Sequence, residues 1–254
     1  MRRIKYLVIA AVLLLTGCKK EDLDMSLVSK SLFVGANITE VNLSAAWNVT
    51  LVQDELQSSV TLEYSAFLED YLDVSLANGV LNIGLKNHST LPGNTVMNAE
   101  IHLKAFNKLS AKEAVVCRGG LFEGNTSIIL AEAANLVDIC LIGNVIDFNI
   151  TDASDFKGSL TADLVTVTMN DASHLITYGG QVRSLQLNLD SAGNLNMINT
   201  PVEEALVALD NASEATLHVT GKVQGTLRNA STLRLKGNPD KDLDIDISSS
   251  IIPL

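Results

Sequence analysis

Apolar and polar residues alternate along most of this 254-residue chain. Phe148 with Ile150, then Val165, Val167 and Met169, then Leu185, Leu187 and Leu189, then Ala205, Val207 and Leu209 stand at every second position. A period of two places one set of side chains on one face of a strand, so these runs predict strands with one face buried. After each run comes a polar corner, and after the corner a second alternation, as in Leu195 with Met197 or Leu233 with Leu235. Each unit is therefore predicted to hold two short strands.

The corners repeat. Asp152-Ala153-Ser154 recurs as Asp171-Ala172-Ser173, Ser191-Ala192-Gly193, Asn211-Ala212-Ser213 and Asn229-Ala230-Ser231, the alanines lying 19, 20, 20 and 18 residues apart. Weaker copies precede them at Glu132-Ala133-Ala134-Asn135-Leu136 and Ser110-Ala111-Lys112-Glu113-Ala114. A strand-only unit of this length has no helix to cover its inner face, so successive copies must stack and bury a shared interior. That predicts an all-β solenoid, a parallel β-helix of about 20 residues per rung. On this reading the alanines fill tight inward bends where Leu would overpack, and Asp, Asn and Ser bond the turn backbone. Arg228 falls where Leu189 and Leu209 point inward, which predicts a bulge or a frayed last coil.

Residues 31–108 lack the repeat but alternate too, in Val49 and Leu51, Val60 and Leu62, Val74 and Leu76, and Leu81, Ile83 and Leu85. Asn78-Gly79 between two of these runs is a hairpin signal. This segment is expected to be antiparallel or mixed β, preceding a β-helix over 109–239, with one terminal strand in 240–254. Residues 65–72 could form a helical turn.

Two stretches carry a family resemblance. Trp47-Asn48-Val49-Thr50-Leu51-Val52-Gln53-Asp54 with Asn78-Gly79-Val80-Leu81-Asn82-Ile83, and the recurrent Ala-Ser corner ending in Leu233-Arg234-Leu235-Lys236-Gly237-Asn238-Pro239, resemble the bacterial head GIN domain, or "putative auto-transporter adhesin", over roughly residues 31–239. The resemblance implies a right-handed single-stranded parallel β-helix, frequent in lipoproteins, with no catalytic residues. Here Asp, Asn or Ser stands where that family often has Gly before Ala-Ser.

The N-terminus adds a destination. Arg2, Arg3 and Lys5 precede an apolar run from Tyr6 to Leu15, closed by Leu15-Thr16-Gly17-Cys18. This is the layout of a signal peptide, and the run is about half of what a spanning helix needs. The last four residues resemble a bacterial lipobox, which implies cleavage between Gly17 and Cys18 and acylation of Cys18 by palmitate-type chains. Residues 18–30 then form a charged tether, in which Lys20-Glu21-Asp22 resembles a surface-export signal of some Gram-negative lineages. The expected location is the cell envelope, lipid-anchored, at the outer membrane and open to surface display. The expected partners are membrane lipid through Cys18 and an extracellular protein or glycan.

Loss of residues 1–17 removes Arg2, Arg3 and Lys5 and takes the net charge from -11 to -14. So acidic a chain is a poor ligand for nucleic acid, and it leaves attachment to the acyl anchor, since no basic face can provide it. Cys117 and Cys140 are too few for a disulfide framework; stacked strands hold their side chains side by side, and they read as small buried hydrophobes.

Catalytic chemistry finds little support. Asp152, Asp171, Asp190 and Asp210 repeat at two neighbouring corner positions and read as turn caps in preference to a calcium site or a carboxylate pair. His88, His102, His174 and His218 are scattered, without metal-ligand spacing. Gly119-Gly120 and Gly179-Gly180 are turn signals, and Trp47, Tyr64, Tyr71 and Tyr178 are too dispersed for a stacking platform. No cofactor is implied. The expectation is a non-catalytic envelope lipoprotein presenting a β-helical surface for adhesion or binding to protein, glycan or envelope material. A polysaccharide-active enzyme on the same fold and an envelope-structural or sensing component are the alternatives.

Overall fold

The computed structural model describes residues 23–86 and 90–254, so Gly17, Cys18, the export segment and His88 lie outside the described residues. The first half holds β1 (Leu27–Leu32), β2 (Glu40–Leu43), β3 (Asn48–Gln53), β4 (Ser59–Ser65), β5 (Leu72–Ala77), β6 (Val80–Leu85) and β7 (Met97–Leu103). Short strands β8 (Lys108–Ala111), β9 (Val116–Arg118), β10 (Leu121–Glu123) and β11 (Thr126–Leu130) follow. Five long strands come next: β12 (Asn135–Ile150), β13 (Asp155–Met169), β14 (His174–Leu189), β15 (Asn194–Leu209) and β16 (Glu214–Leu227). The chain closes with β17 (Thr232–Lys236), β18 (Asp240–Ile245) and β19 (Ser250–Pro253). Nineteen strands form one sheet, wound into a β-solenoid of about seven turns with about 20 residues per rung, together with mixed N-terminal strands.

The alternation turns into columns. Ile150 pairs with Met169, Met169 with Leu189, Leu189 with Leu209 and Leu209 with Leu227, all buried to within 1% exposure. One rung contributes few apolar contacts by itself; stacking buries both of its flanks, which is why repeat and fold cannot be separated. Phe148 and Phe156 meet edge to face inside the coil with ring centroids 4.7 Å apart. The two strands expected in each unit are joined across bends, so β12 to β16 each run for 14 to 16 residues between corners. Register shifts, such as those between Gly158 and Leu160 and between Met197 and Pro201, absorb the unequal repeat lengths.

The expected bulge at Arg228 does not occur. Leu227 is the inward residue paired with Leu209, and Arg228 follows it in the column of Asp210, where its guanidinium pairs with Asp244. The spacing of 18 is taken up earlier in the rung, so the corner keeps its register.

The N-terminal half is mixed. β1 with β4, β4 with β7 and β5 with β6 are antiparallel, the last joined by Asn78-Gly79, both at positive φ as a two-residue type I′ hairpin requires. The remaining pairs are parallel rungs: β2 lies between β6 and β8, and β3 between β7 and β9. Parallel stacking thus reaches back to Glu40, with the first coil inserted between two later ones. A 3-10 turn occupies Ala66–Tyr71. From it Glu69 accepts a hydrogen bond from the Tyr64 hydroxyl and pairs with Lys30, fastening β1 to the molecule. At the far end β18 and β19 lie parallel on β16 and β17, forming two strands of a last rung where one was expected.

Candidate functional site

The repeated corners come first. Asp152 and Ala153 have φ of 55° and 57°, and the same left-handed pair recurs at Asp171-Ala172, Ser191-Ala192, Asn211-Ala212 and Asn229-Ala230. With the Ser154 amide donating to Thr151 O at 3.2 Å, each corner is a β-turn with two left-handed central residues, the conformation that Asn and Asp tolerate best. The alanines do not fill inward bends: all five are exposed, and the next residue faces the core. Ser154, Ser173, Ser213 and Ser231 are buried there, with a small side chain at the bend and a hydroxyl that finds a backbone partner. Ser173 Oγ donates to Ile150 O at 3.0 Å, and Ser154 Oγ accepts the Ala134 amide at 3.1 Å.

The corners stand one above another. Ala153 N donates to Asp171 O, Ala172 N to Ser191 O, Ala192 N to Asn211 O and Ala212 N to Asn229 O, at 2.9–3.0 Å. The column starts earlier than the repeat suggests, at Ala45-Ala46, with φ of 66° and 56°, whose Ala46 amide donates to Glu113 O at 2.8 Å. In the weak copy at 110–114 the turn pair is Glu113-Ala114, while Ala111 is a buried strand residue beside Leu130. Side chains add a second stitch: Asn211 Nδ2 donates to Asp190 Oδ1 at 2.6 Å, and Asn229 Nδ2 to Asp210 Oδ1 at 2.5 Å. The Asn211 amide and the Ser191 backbone N–H hold the Asp190 carboxyl below its ordinary range. These acids cap turns and staple rungs, an arrangement that keeps the corner in shape.

Among the described residues no group of three or more His, Cys, Asp and Glu is placed to hold a metal ion. His174 pairs with Asp155 at 3.1 Å, and His102 sits between Glu100 at 2.8 Å and Asp54 at 3.3 Å, which raises its pKa, Glu100 contributing most. Cys117 and Cys140 are free; Cys117 is buried beside Leu136, and Cys140 is half-buried beside Leu121 and Ser159. Trp47 and Tyr64 are core residues, whereas Tyr71 and Tyr178 are exposed.

The feature that alternation does not announce is a polar groove of about 570 Å³ on the outer face of β4, β7, β3 and β9, with Ser29 of β1 at its rim. Strand register aligns two rows of outward side chains across it. In one row Glu63 pairs with Asn98, Asn98 with Asn48 and Asn48 with Val116. In the other Thr61 pairs with Glu100, Glu100 with Thr50 and Thr50 with Arg118. Asn98 Nδ2 donates to Glu63 at 2.9 Å, and Glu100 holds His102. Arg118 is exposed, and its guanidinium has no hydrogen bond or ion pair among the described residues. Elsewhere a shallower depression of about 340 Å³, lined by Thr166, Thr168, Gln186, Asn188, Leu206 and Thr226 among others, carries no charge. Sequence reading missed the groove because its residues come from five strands between Ser29 and Arg118, and its polar ones each look like an ordinary solvent-facing residue.

The family model "Putative auto-transporter adhesin, head GIN domain" matches residues 37–239. Among solved structures, the fold is similar to a putative adhesin from Parabacteroides merdae, with TM-score 0.82 and 12% identity over 90% of this chain and 96% of that one. It is also similar to a putative lipid binding protein from Parabacteroides distasonis, with TM-score 0.79 and 14% identity over 91% and 98% of the two chains. A putative adhesin from the same species gives TM-score 0.78 and 16% identity over 91% and 98%. No curated protein sequence matches this chain.

Proposed function

The chain belongs to the auto-transporter adhesin head GIN family, and from that premise we propose that it is a non-catalytic, adhesin-like protein of the cell envelope that binds through the Arg118 groove. The observation that carries this reading is a guanidinium without a partner among the described residues, in a groove of about 570 Å³ on a paired sheet. Groups that serve only to hold the fold are satisfied internally, as Asp190, Asp210 and Glu69 are; a free cation among ordered amides and hydroxyls offers its donors outward. The adhesin descriptions of two structural neighbours support the same class of role. The floor strands β4, β7, β3 and β9 are each paired on both sides, with β1 pairing on β4 at the rim, so the floor of the groove is pre-organised.

The attachment proposed is by acyl chains on Cys18 at the outer membrane, with residues 18–30 as a tether. Each buried methylene contributes about 0.8 kcal/mol, and several chains together give stable anchoring. Among the described residues no helix is long and apolar enough to cross a membrane. The test is adhesion of whole cells to host or community surfaces, combined with protease shaving. Wild-type protein should be shaved from intact cells and promote adhesion. Cys18→Ala should abolish surface retention, and Arg118→Glu should abolish adhesion with display intact. Protection of the wild-type protein in intact cells, or unchanged adhesion by Arg118→Glu, overturns the reading.

A further inference from the structure

We infer that the ligand of the Arg118 groove is a neutral oligosaccharide, held by planar polar side chains along two rows of the sheet. The inference rests on the groove being the contact surface, and it concerns what the groove selects.

The first ground is chemical inventory. Sugar hydroxyls are at once donors and acceptors, and neighbouring hydroxyls come in pairs that a carboxylate, an amide or a guanidinium can engage with two atoms together. The groove presents those planar groups: Glu63 and Glu100 accept, Asn98 and Asn48 do both, and Arg118 donates. Asn98 uses one amide hydrogen on Glu63 and keeps its oxygen, and Asn48 and Arg118 are unengaged. Thr50 lies between Glu100 and Arg118 in the same row.

The second ground is spacing. Glu100 and Arg118 are two strands apart in one row, about 10 Å, since neighbouring strands lie about 4.8 Å apart. An acceptor at one end, a donor at the other, the Thr50 hydroxyl between them and the amides of Asn98 and Asn48 in the neighbouring row span a disaccharide, with room for a longer chain to continue.

Charge is the third ground. An anionic oligomer running from Arg118 along the groove would meet Glu100 and Glu63 on a chain of net charge -11, and a cationic one drawn to the carboxylates would meet Arg118. A neutral polyol satisfies both ends and is repelled by neither. A peptide is disfavoured for a different reason. Strand addition needs a free sheet edge, which the floor strands β4, β7, β3 and β9 lack and which the rim strand β1, carrying Ser29, offers on the side away from the groove, and the apolar residues Val49 and Ala99 in the groove are buried, leaving Val116 as the apolar side chain within reach of an anchor. With no aromatic ring in the lining, single-site affinity is weak and many copies on one surface supply avidity.

The experiment uses the detergent-extracted full chain against immobilised neutral gluco-, galacto- and manno-oligosaccharides, their uronic-acid counterparts and cationic glucosamine oligomers. Binding to at least one neutral series is expected. Arg118→Ala should weaken it about tenfold or more, as loss of a charged donor does, and Arg118→Lys should fall between, keeping the charge without the planar pair of donors. Lys157→Ala, on the same face outside the groove, should bind as wild type, and thermal unfolding of the Arg118 variants should not move. Binding confined to the uronic or cationic series, or neutral binding indifferent to Arg118, overturns the inference. No saccharide binding while cell adhesion still needs Arg118 overturns the sugar assignment and leaves the adhesive reading standing. Loss of both removes both.

Discussion

Replacing Ala172 by glycine should stabilise this protein, and replacing it by valine should destabilise it, although the side chain at this position faces solvent. Ala172 has φ of 56°, and its amide donates to Ser191 O at 3.0 Å in the corner column. A Cβ in the left-handed region costs about 1–2 kcal/mol through its clash with the following carbonyl. Glycine removes that cost and surrenders about 0.5–1 kcal/mol of extra backbone entropy on folding. The balance is a gain of about 0.5–1 kcal/mol, which in a chain of this size raises Tm by about 1–4 °C. Valine keeps the Cβ and adds a branch that the left-handed region accommodates poorly, for a loss of about 1–2 kcal/mol. If alanine instead filled an inward bend, glycine would remove buried surface and lower Tm. Calorimetry with circular dichroism on the single variants, and on the fourfold glycine variant at Ala153, Ala172, Ala192 and Ala212, separates the two cases. Neighbouring corners share hydrogen bonds, so the fourfold gain need not be four times the single one. A fall in Tm for Ala172→Gly, or none for Ala172→Val, refutes the reasoning.

Gly180→Ala should cost about 3 kcal/mol or more, because at φ of 102° an added Cβ would lie 1.8 Å from Leu160 O; a Tm within two degrees of wild type would contradict this. Asp246 accepts hydrogen bonds from Ser249, Asn229 and Ser248, which hold its carboxyl well below the usual range, Ser249 contributing most. A lowered folded pKa means its contribution is full above the unfolded value of about 4 and is lost as pH falls through the folded one. Asp246→Ala at neutral pH, or strong acid in the wild type, should therefore lower the amide-exchange protection factors, taken against the intrinsic rate at the same pH, at Asn229, Ser248 and Ser249; unchanged protection there would refute the cap. Burial pushes the Cys117 thiol pKa up, so iodoacetamide should spare it in the native protein and modify it only in denaturant, while half-buried Cys140 reacts first; native labelling of Cys117 would mean that the core opens.

The alternation of Val165, Val167 and Met169 against Leu185, Leu187 and Leu189 was legible because a period of two admits one geometry, and a repeat near 20 residues lets those positions stack. The hairpin at Asn78-Gly79 was legible for the same kind of reason: few residues accept two successive positive φ values. The orientation of the corner was not. Ala and Ser are both small, and composition cannot say which of Ala153 and Ser154 faces the core; the left-handed turn decides it, turning alanine outward and serine in. Arg228 was placed one residue out of column for a related reason, since register shifts elsewhere in the rung take up the short repeat. The Ala45-Ala46 corner went unseen because its coil stacks between two rungs that come later in the chain.

Local constraints, read residue by residue, determined the strand content, the rung length and the positions of the corners, because periodicity and turn chemistry act between near neighbours. The tertiary structure alone decided which rung lies on which and, through that order, which side chains share an outer face. Glu63, Asn98, Glu100, Asn48 and Arg118 become one groove only because β4 and β7 fold back beside β3 and β9, a pairing set by long-range burial that no local pattern encodes.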